Sequence, residues 1–96
     1  MNKIPPHNEE AEISVLGSLL IDKDAVIEVA EFLKPDHFYK ESHKQIYQAM
    51  LELFEDREPI DIVTLKHSLK KKGILEKTGS TDYLAFLVEQ VPASVN

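Results

Sequence analysis

Six positions between Lys40 and Glu55 constrain this chain most. His43, Ile46, Tyr47, Met50, Leu51 and Phe54 fall at i, i+3, i+4, i+7, i+8 and i+11. Those intervals follow the 3.6-residue period and place all six side chains on one face of a helix. A strand alternates with period two and would scatter them over both faces. The helix must bury that face, and the rest of the chain offers further helices to bury it against.

Upstream, Pro5-Pro6 fixes φ and keeps the residues before it out of a helix, so residues 1–7 read as an extended arm. Asn8 is a good N-cap, and Glu9, Glu10 and Glu12 follow where the helix dipole favours anions. Ala11, Val15, Leu16, Leu19 and Leu20 then form a helical stripe, with Ile13 at its edge. Beside it lie the small residues Ser14, Gly17 and Ser18. A helical glycine costs about 1 kcal/mol against alanine, and close approach of another helix is the natural reason to accept that. The patch reads as intramolecular packing, with a subunit contact as the alternative.

Asp22 ends the first helix and is placed to cap the next. Residues 24–33 predict a second helix with Val26, Val29, Ala30 and Leu33 inward, stopped by Pro35. Lys34 to Tyr39 predicts a turn or short helix that sets Phe38 and Tyr39 as apolar anchors. Pro59 closes the charged run Glu55 to Glu58. Asp61 caps a helix with Ile62, Leu65 and Leu69 inward. Its last turn carries Lys70, Lys71 and Lys72, and Gly73 with Ile74 supplies a Schellman-type end. Thr78 to Thr81 reads as loop. Residues 82–91 predict the last helix, with Tyr83, Leu84, Leu87, Val88 and Val91 inward and Pro92 beyond. No segment alternates as a strand. The expected fold is all-α: a compact orthogonal bundle of five main helices plus one short helix, spanning residues 1–96 as a single domain.

Size and charge narrow the function. A chain of 96 residues supports one modest core and leaves no room for a nucleotide-hydrolysing sheet domain beside it. Eleven Lys and Arg stand against seventeen Asp and Glu, a net charge of -6. That balance disfavours phosphate backbones and anionic membranes as partners. The absence of cysteine excludes disulfides, thiolate metal sites and cysteine nucleophiles. The early residues lack the apolar run of a signal peptide, and the longest apolar stretch, Tyr83 to Val88, is too short to span a bilayer.

Catalytic motifs are absent. The three glycines, Gly17, Gly73 and Gly79, make neither a P-loop nor a dinucleotide fingerprint. Asp22-Lys23-Asp24 would open a calcium loop only if ligands followed, and Val26, Ile27 and Leu33 occupy those places. Among His7, His37, His43 and His67 no two are three or four residues apart, so no local metal pair exists. His43 reads as a core-edge histidine bonded to backbone or a loop side chain; the alternative is a pH-sensitive or interaction role. Lys66, Lys70, Lys71 and Lys72 form the one cationic cluster. They read as a solvated helix end, or as a contact for phosphate or an acidic partner, and the acidic balance favours the first. The residues alone describe an acidic helical interaction module.

Four blocks in order add a family resemblance. They are Ile4-Pro5-Pro6-His7-Asn8 with Glu10-Ala11-Glu12 and Ser14-Val15-Leu16-Gly17-Ser18; Pro35-Asp36-His37-Phe38-Tyr39 with His43, Ile46-Tyr47 and Ala49-Met50; Pro59-Ile60-Asp61 with Val63-Thr64-Leu65, Leu69 and Gly73; and Gly79, Tyr83-Leu84, Leu87, Val91-Pro92 and Asn96. Together they resemble the N-terminal domain of the bacterial replicative DNA helicase, the DnaB family. Two positions depart from the pattern. Ser80 stands where the family often has a second glycine, and Glu58 where it often has glycine before the proline block.

The resemblance implies a non-catalytic collar on a hexameric ring, often a trimer of dimers, that contacts primase and a helicase loader in the cytoplasm. It implies no cofactor for these residues; ATP and magnesium would belong to a separate RecA-like motor. The family's chain continues past the position of Asn96 into a helical hairpin, a linker and that motor, so residues 92–96 are expected to be a poorly ordered tail. Ser14, Gly17, Ser18, Lys66, Lys70 and Lys71 are the candidate interaction residues. A stand-alone helical adaptor is the alternative, and a small DNA-binding domain using Lys66 to Lys72 a more distant one.

Overall fold

Asn8 starts the first helix by local chemistry: its Oδ1 accepts a hydrogen bond from the Ala11 amide at 3.1 Å. In this computed structural model, which describes residues 8–92, that helix is α1, Glu9–Ile21. There follow α2 (Ala25–Val29), a 3-10 turn (Pro35–His37), α3 (Glu41–Glu55), α4 (Ile62–Lys71) and α5 (Ser80–Glu89). No strand occurs among the described residues, so the architecture is the all-helical one expected. The expectations for the arm at 1–7 and for the tail beyond Pro92 lie outside the described residues.

Punctuation explains most boundaries. Asp61 Oδ1 accepts from the Thr64 amide at 2.8 Å, and the Thr64 hydroxyl accepts from the Asp61 amide at 3.0 Å. This reciprocal cap satisfies two amides that the start of α4 would leave unpaired. At the other end Gly73 takes φ +75. There the Ile74 amide reaches the Leu69 carbonyl and the Gly73 amide the Lys70 carbonyl, each at 3.0 Å, which is the Schellman pattern.

α1 lies against α5, α3 against α4 and the 3-10 turn, and α4 against α5. Their inward faces supply Leu16, Leu19, Ile46, Tyr47, Met50, Leu65, Leu69, Leu84 and Leu87, all essentially without solvent contact. Phe38 closes one side of this core, its ring 5.2 Å from that of Tyr47.

Four local expectations change. The helix expected over 24–33 is only Ala25–Val29. Its β-branched residues are modest helix formers, and Pro35 demands an extended Lys34, found at φ -112 and ψ 155. The chain therefore unwinds early, and the Leu33 carbonyl accepts from the Tyr47 hydroxyl at 2.8 Å. Asp22 does not cap that helix; its carboxylate accepts from the Asp24 amide at 3.0 Å and tightens the turn. Tyr39 is no apolar anchor, for its side chain is largely exposed while Phe38 is buried.

The last helix starts two residues sooner than expected, at Ser80. The Thr78 hydroxyl is buried and donates to the Ile74 and Leu75 carbonyls. Gly79 at φ +100 and Ser80 at φ +62 then turn the chain directly into α5. Glycine is at ease in that left-handed region; serine is not.

Candidate functional site

The candidate residues fall on two helices. Ser14, Gly17 and Ser18 belong to α1; Lys66, Lys70 and Lys71 belong to α4. Of the three on α1, Gly17 is buried, Ser14 faces solvent and Ser18 is half-buried. Gly17 faces α5. A Cβ there would collide with the Leu87 carbonyl oxygen and sit 2.7 Å from Val91 Cγ2. The glycine thus lets two backbones meet within the domain.

Lys66, Lys70 and Lys71 are all exposed, as are Val63 and His67 on the same helix. Lys72 behaves differently: its Nζ meets Glu52 Oε1 at 2.8 Å and ties α4 to α3. That contact, which outweighs a small burial effect, holds the Glu52 carboxyl below the usual carboxylate range. A groove between α3 and α4 is lined by Leu53, Asp56, Glu58, Val63, His67 and Lys71. Its walls carry both signs of charge.

The polar centre of the domain lies elsewhere, at His43. This side chain is wholly buried. Its Nδ1 is 2.7 Å from Glu12 Oε1 on α1, and its Nε2 is 2.6 Å from the Tyr83 hydroxyl on α5. The expected partners were backbone or a loop side chain; both are helix side chains instead. Glu12 also accepts from the Tyr39 amide at 2.6 Å and the Lys40 amide at 3.4 Å. One carboxylate thereby fastens α1 to the loop before α3 and to α3 itself.

Electrostatics follow the geometry. Burial alone would push the Glu12 carboxyl up, but the hydrogen bonds from the Tyr39 amide, His43 and the Lys40 amide outweigh it and hold it below the usual range. Outside it, Lys40 Nζ pairs with Glu9 Oε2 at 2.9 Å and lies 5.8 Å from the centre of the Tyr83 ring. The hydrogen bond to Glu9 raises the Lys40 ammonium, and burial raises the Tyr83 phenol.

Both ring nitrogens of His43 are engaged within the domain, Nδ1 with the Glu12 carboxylate and Nε2 with the Tyr83 hydroxyl, so neither is turned toward solvent or a substrate. The cluster is a structural bolt through three helices. No buried side-chain nitrogen or oxygen among the described residues lacks a partner, and no three His, Asp or Glu side chains among them gather as metal ligands. No helix among them is long and apolar enough to cross a membrane.

Sequence reasoning placed His43 on a buried face but took Glu12 only as an anion at a helix start. A signal existed. Glu12 lies one turn before Leu16, in line with the buried stripe of α1, where an unpaired carboxylate would be costly. Tyr83 likewise stands beside Leu84 and Leu87 on the inward face of α5.

The chain resembles known proteins in sequence and in fold. The model of the "DnaB-like helicase N terminal domain" family matches residues 4–96. The chain is 44% identical over 92 residues to the replicative DNA helicase DnaB of Buchnera aphidicola subsp. Schizaphis graminum, covering 96% of this chain and 20% of that protein. It is 40% identical over 95 residues to the replicative DNA helicase DnaC of Bacillus subtilis, covering 99% of this chain and 21% of that one. It thus spans about a fifth of the length of these curated relatives. The crystal structure of the N-terminal domain of DnaB helicase from Mycobacterium tuberculosis superposes with a TM-score of 0.89 at 41% identity, over 94% of this chain and 62% of that one. Sequence match and shared helical architecture agree: the chain belongs to the DnaB-like helicase N-terminal domain family.

Proposed function

We propose that this chain serves as the collar of a hexameric replicative DNA helicase, and that its own work is association, not catalysis. The family match along nearly the whole chain carries the reading. The filled core and the fully engaged His43 support it, because they leave a rigid body whose surface is its means of action. The relatives are named as replicative helicases, and this chain is taken to work in the same setting, in the bacterial cytoplasm at replication forks. Its partners there are other helicase subunits, primase and a helicase loader. ATP and magnesium are assigned to a motor domain and not to these residues.

Restricting motor subunits to a defined ring requires faces that recognise other chains. The test joins assembly and turnover. A helicase carrying these 96 residues should sediment as a hexamer, and removing them should shift it toward smaller species or weaken retention of primase. The 96 residues alone should hydrolyse no ATP. Turnover by them, or an unchanged assembly and unchanged primase retention without them, would overturn the proposal.

A further inference from the structure

The exposed side of α4 is one stripe. Val63, Lys66, His67, Lys70 and Lys71 follow one another at i, i+3, i+4, i+7 and i+8, and all are exposed. Leu65 and Leu69, on the other side, are wholly buried. Val63 is 74% exposed, the most exposed of the large apolar residues described. No ion pair among the described residues engages Lys66, Lys70 or Lys71. The domain carries a net charge of -6, yet this stripe holds three cations and no anion.

The helix dipole accounts for Lys70 and Lys71, which sit in the last turn. It does not account for Lys66 a turn earlier, nor for a bare valine at the stripe's start. We propose that the stripe docks an acidic amphipathic helix of a partner protein. Carboxylates of that helix meet Lys66, Lys70 and Lys71, and its apolar side chains cover Val63.

Spacing and charge select this occupant. Lys66 and Lys70 are one turn apart, about 6 Å along the axis, the interval at which an approaching helix repeats its own side chains. Val63, His67 and Lys71 form the α4 wall of the groove, whose lining also includes Asp56 and Glu58, so the partner rests on that α4 wall with its carboxylates turned to the lysines and away from Asp56 and Glu58. A nucleic acid is the poorer fit. Its phosphates would run past the lysines onto those carboxylates, within a domain whose overall charge repels them. The inference does not depend on the helicase reading.

The test uses the whole chain with three probes: a helical 20-residue peptide with Glu at i, i+4 spacing and Leu between, a scrambled peptide of the same composition, and a 20-base-pair duplex. Amide shifts in NMR should map the helical peptide to Val63, Lys66, His67, Lys70 and Lys71. The scrambled peptide and the duplex should each bind about tenfold more weakly. Lys66→Glu with Lys70→Glu should weaken the helical peptide at least tenfold, with an unchanged circular dichroism spectrum because both sites are exposed. Equal binding of the scrambled peptide would reduce the stripe to a general cation patch and overturn the proposal. Tighter binding of the duplex would overturn it in favour of nucleic acid. A dimer of the wild-type chain that the double variant abolishes would do so in favour of a second copy.

Discussion

The carbonyl oxygen of Leu87 occupies the space that a Cβ on Gly17 would need. This limits how far α1 and α5 can be crowded without a backbone shift, because a backbone atom cannot rotate aside as a side chain can. Val91 Cγ2, 2.7 Å from the same point, closes the space from a second direction.

Gly17→Ala should therefore destabilise the domain even though alanine is the better helix former. The gain in propensity is about 1 kcal/mol; forcing two packed backbones apart costs about 1–3 kcal/mol. Gly17→Leu should cost more. Thermal unfolding followed by circular dichroism reads both, and a raised melting temperature for either would refute the close-packing account.

His43→Phe keeps the bulk of the ring and removes both of its hydrogen bonds. Glu12 and Tyr83 would each lose a partner, at about 1–3 kcal/mol. A double-mutant cycle with Tyr83→Phe should show coupling, because the two side chains share a bond of 2.6 Å. Strict additivity of the two losses in urea unfolding would mean that the bond contributes nothing.

Acid should weaken the fold through Glu12. Its folded-state value is depressed, so the stability it contributes is fully present above the unfolded carboxylate value, about 4.3. That stability is lost as pH falls through the lower folded value. Wild type should lose more stability than Glu12→Gln between pH 7 and pH 3, although Glu12→Gln starts lower. Parallel urea midpoints for the two proteins across that range would count against the role given to Glu12.

Arg57 offers a stabilising change. It occupies the left-handed position after α3 at φ +61. The Glu58 amide reaches the Leu53 carbonyl at 2.9 Å and the Arg57 amide the Phe54 carbonyl at 3.1 Å, the same end that Gly73 makes after α4. Arg57→Gly should raise stability by up to about 1 kcal/mol, readable as a higher melting temperature. Ser80→Gly should act in the same direction, because glycine keeps the amide hydrogen bond to the Leu75 carbonyl at 2.9 Å while relieving the left-handed strain. No gain at Arg57 would show that this side chain stabilises the turn by other means.

Elements bounded by local chemistry were legible in advance. Asn8, Asp61 and Gly73 each act on residues within one turn of themselves, and the stripe from His43 to Phe54 declares its helix without outside help. Where the chain had to satisfy a distant partner, local reading failed. Leu33 leaves the expected helix and gives its carbonyl to Tyr47, and Tyr39 turns its side chain outward while its amide serves Glu12. The two family departures divided: Ser80 does take the left-handed φ that a glycine would hold, at +62, whereas at Glu58 the left-handed residue is its neighbour Arg57.

Sequence by itself determined that the chain is helical, where most helices start and stop, which faces are apolar, and which family pattern it carries. These rest on contacts three to five residues apart, set by the period of the helix and the chemistry of its caps. Tertiary structure alone decided that Glu12, His43 and Tyr83 form one buried cluster and that Gly17 meets Leu87. The cluster joins residues 31 and 40 positions apart. Such pairings depend on how helices are laid across one another, and no periodicity along the chain records that angle.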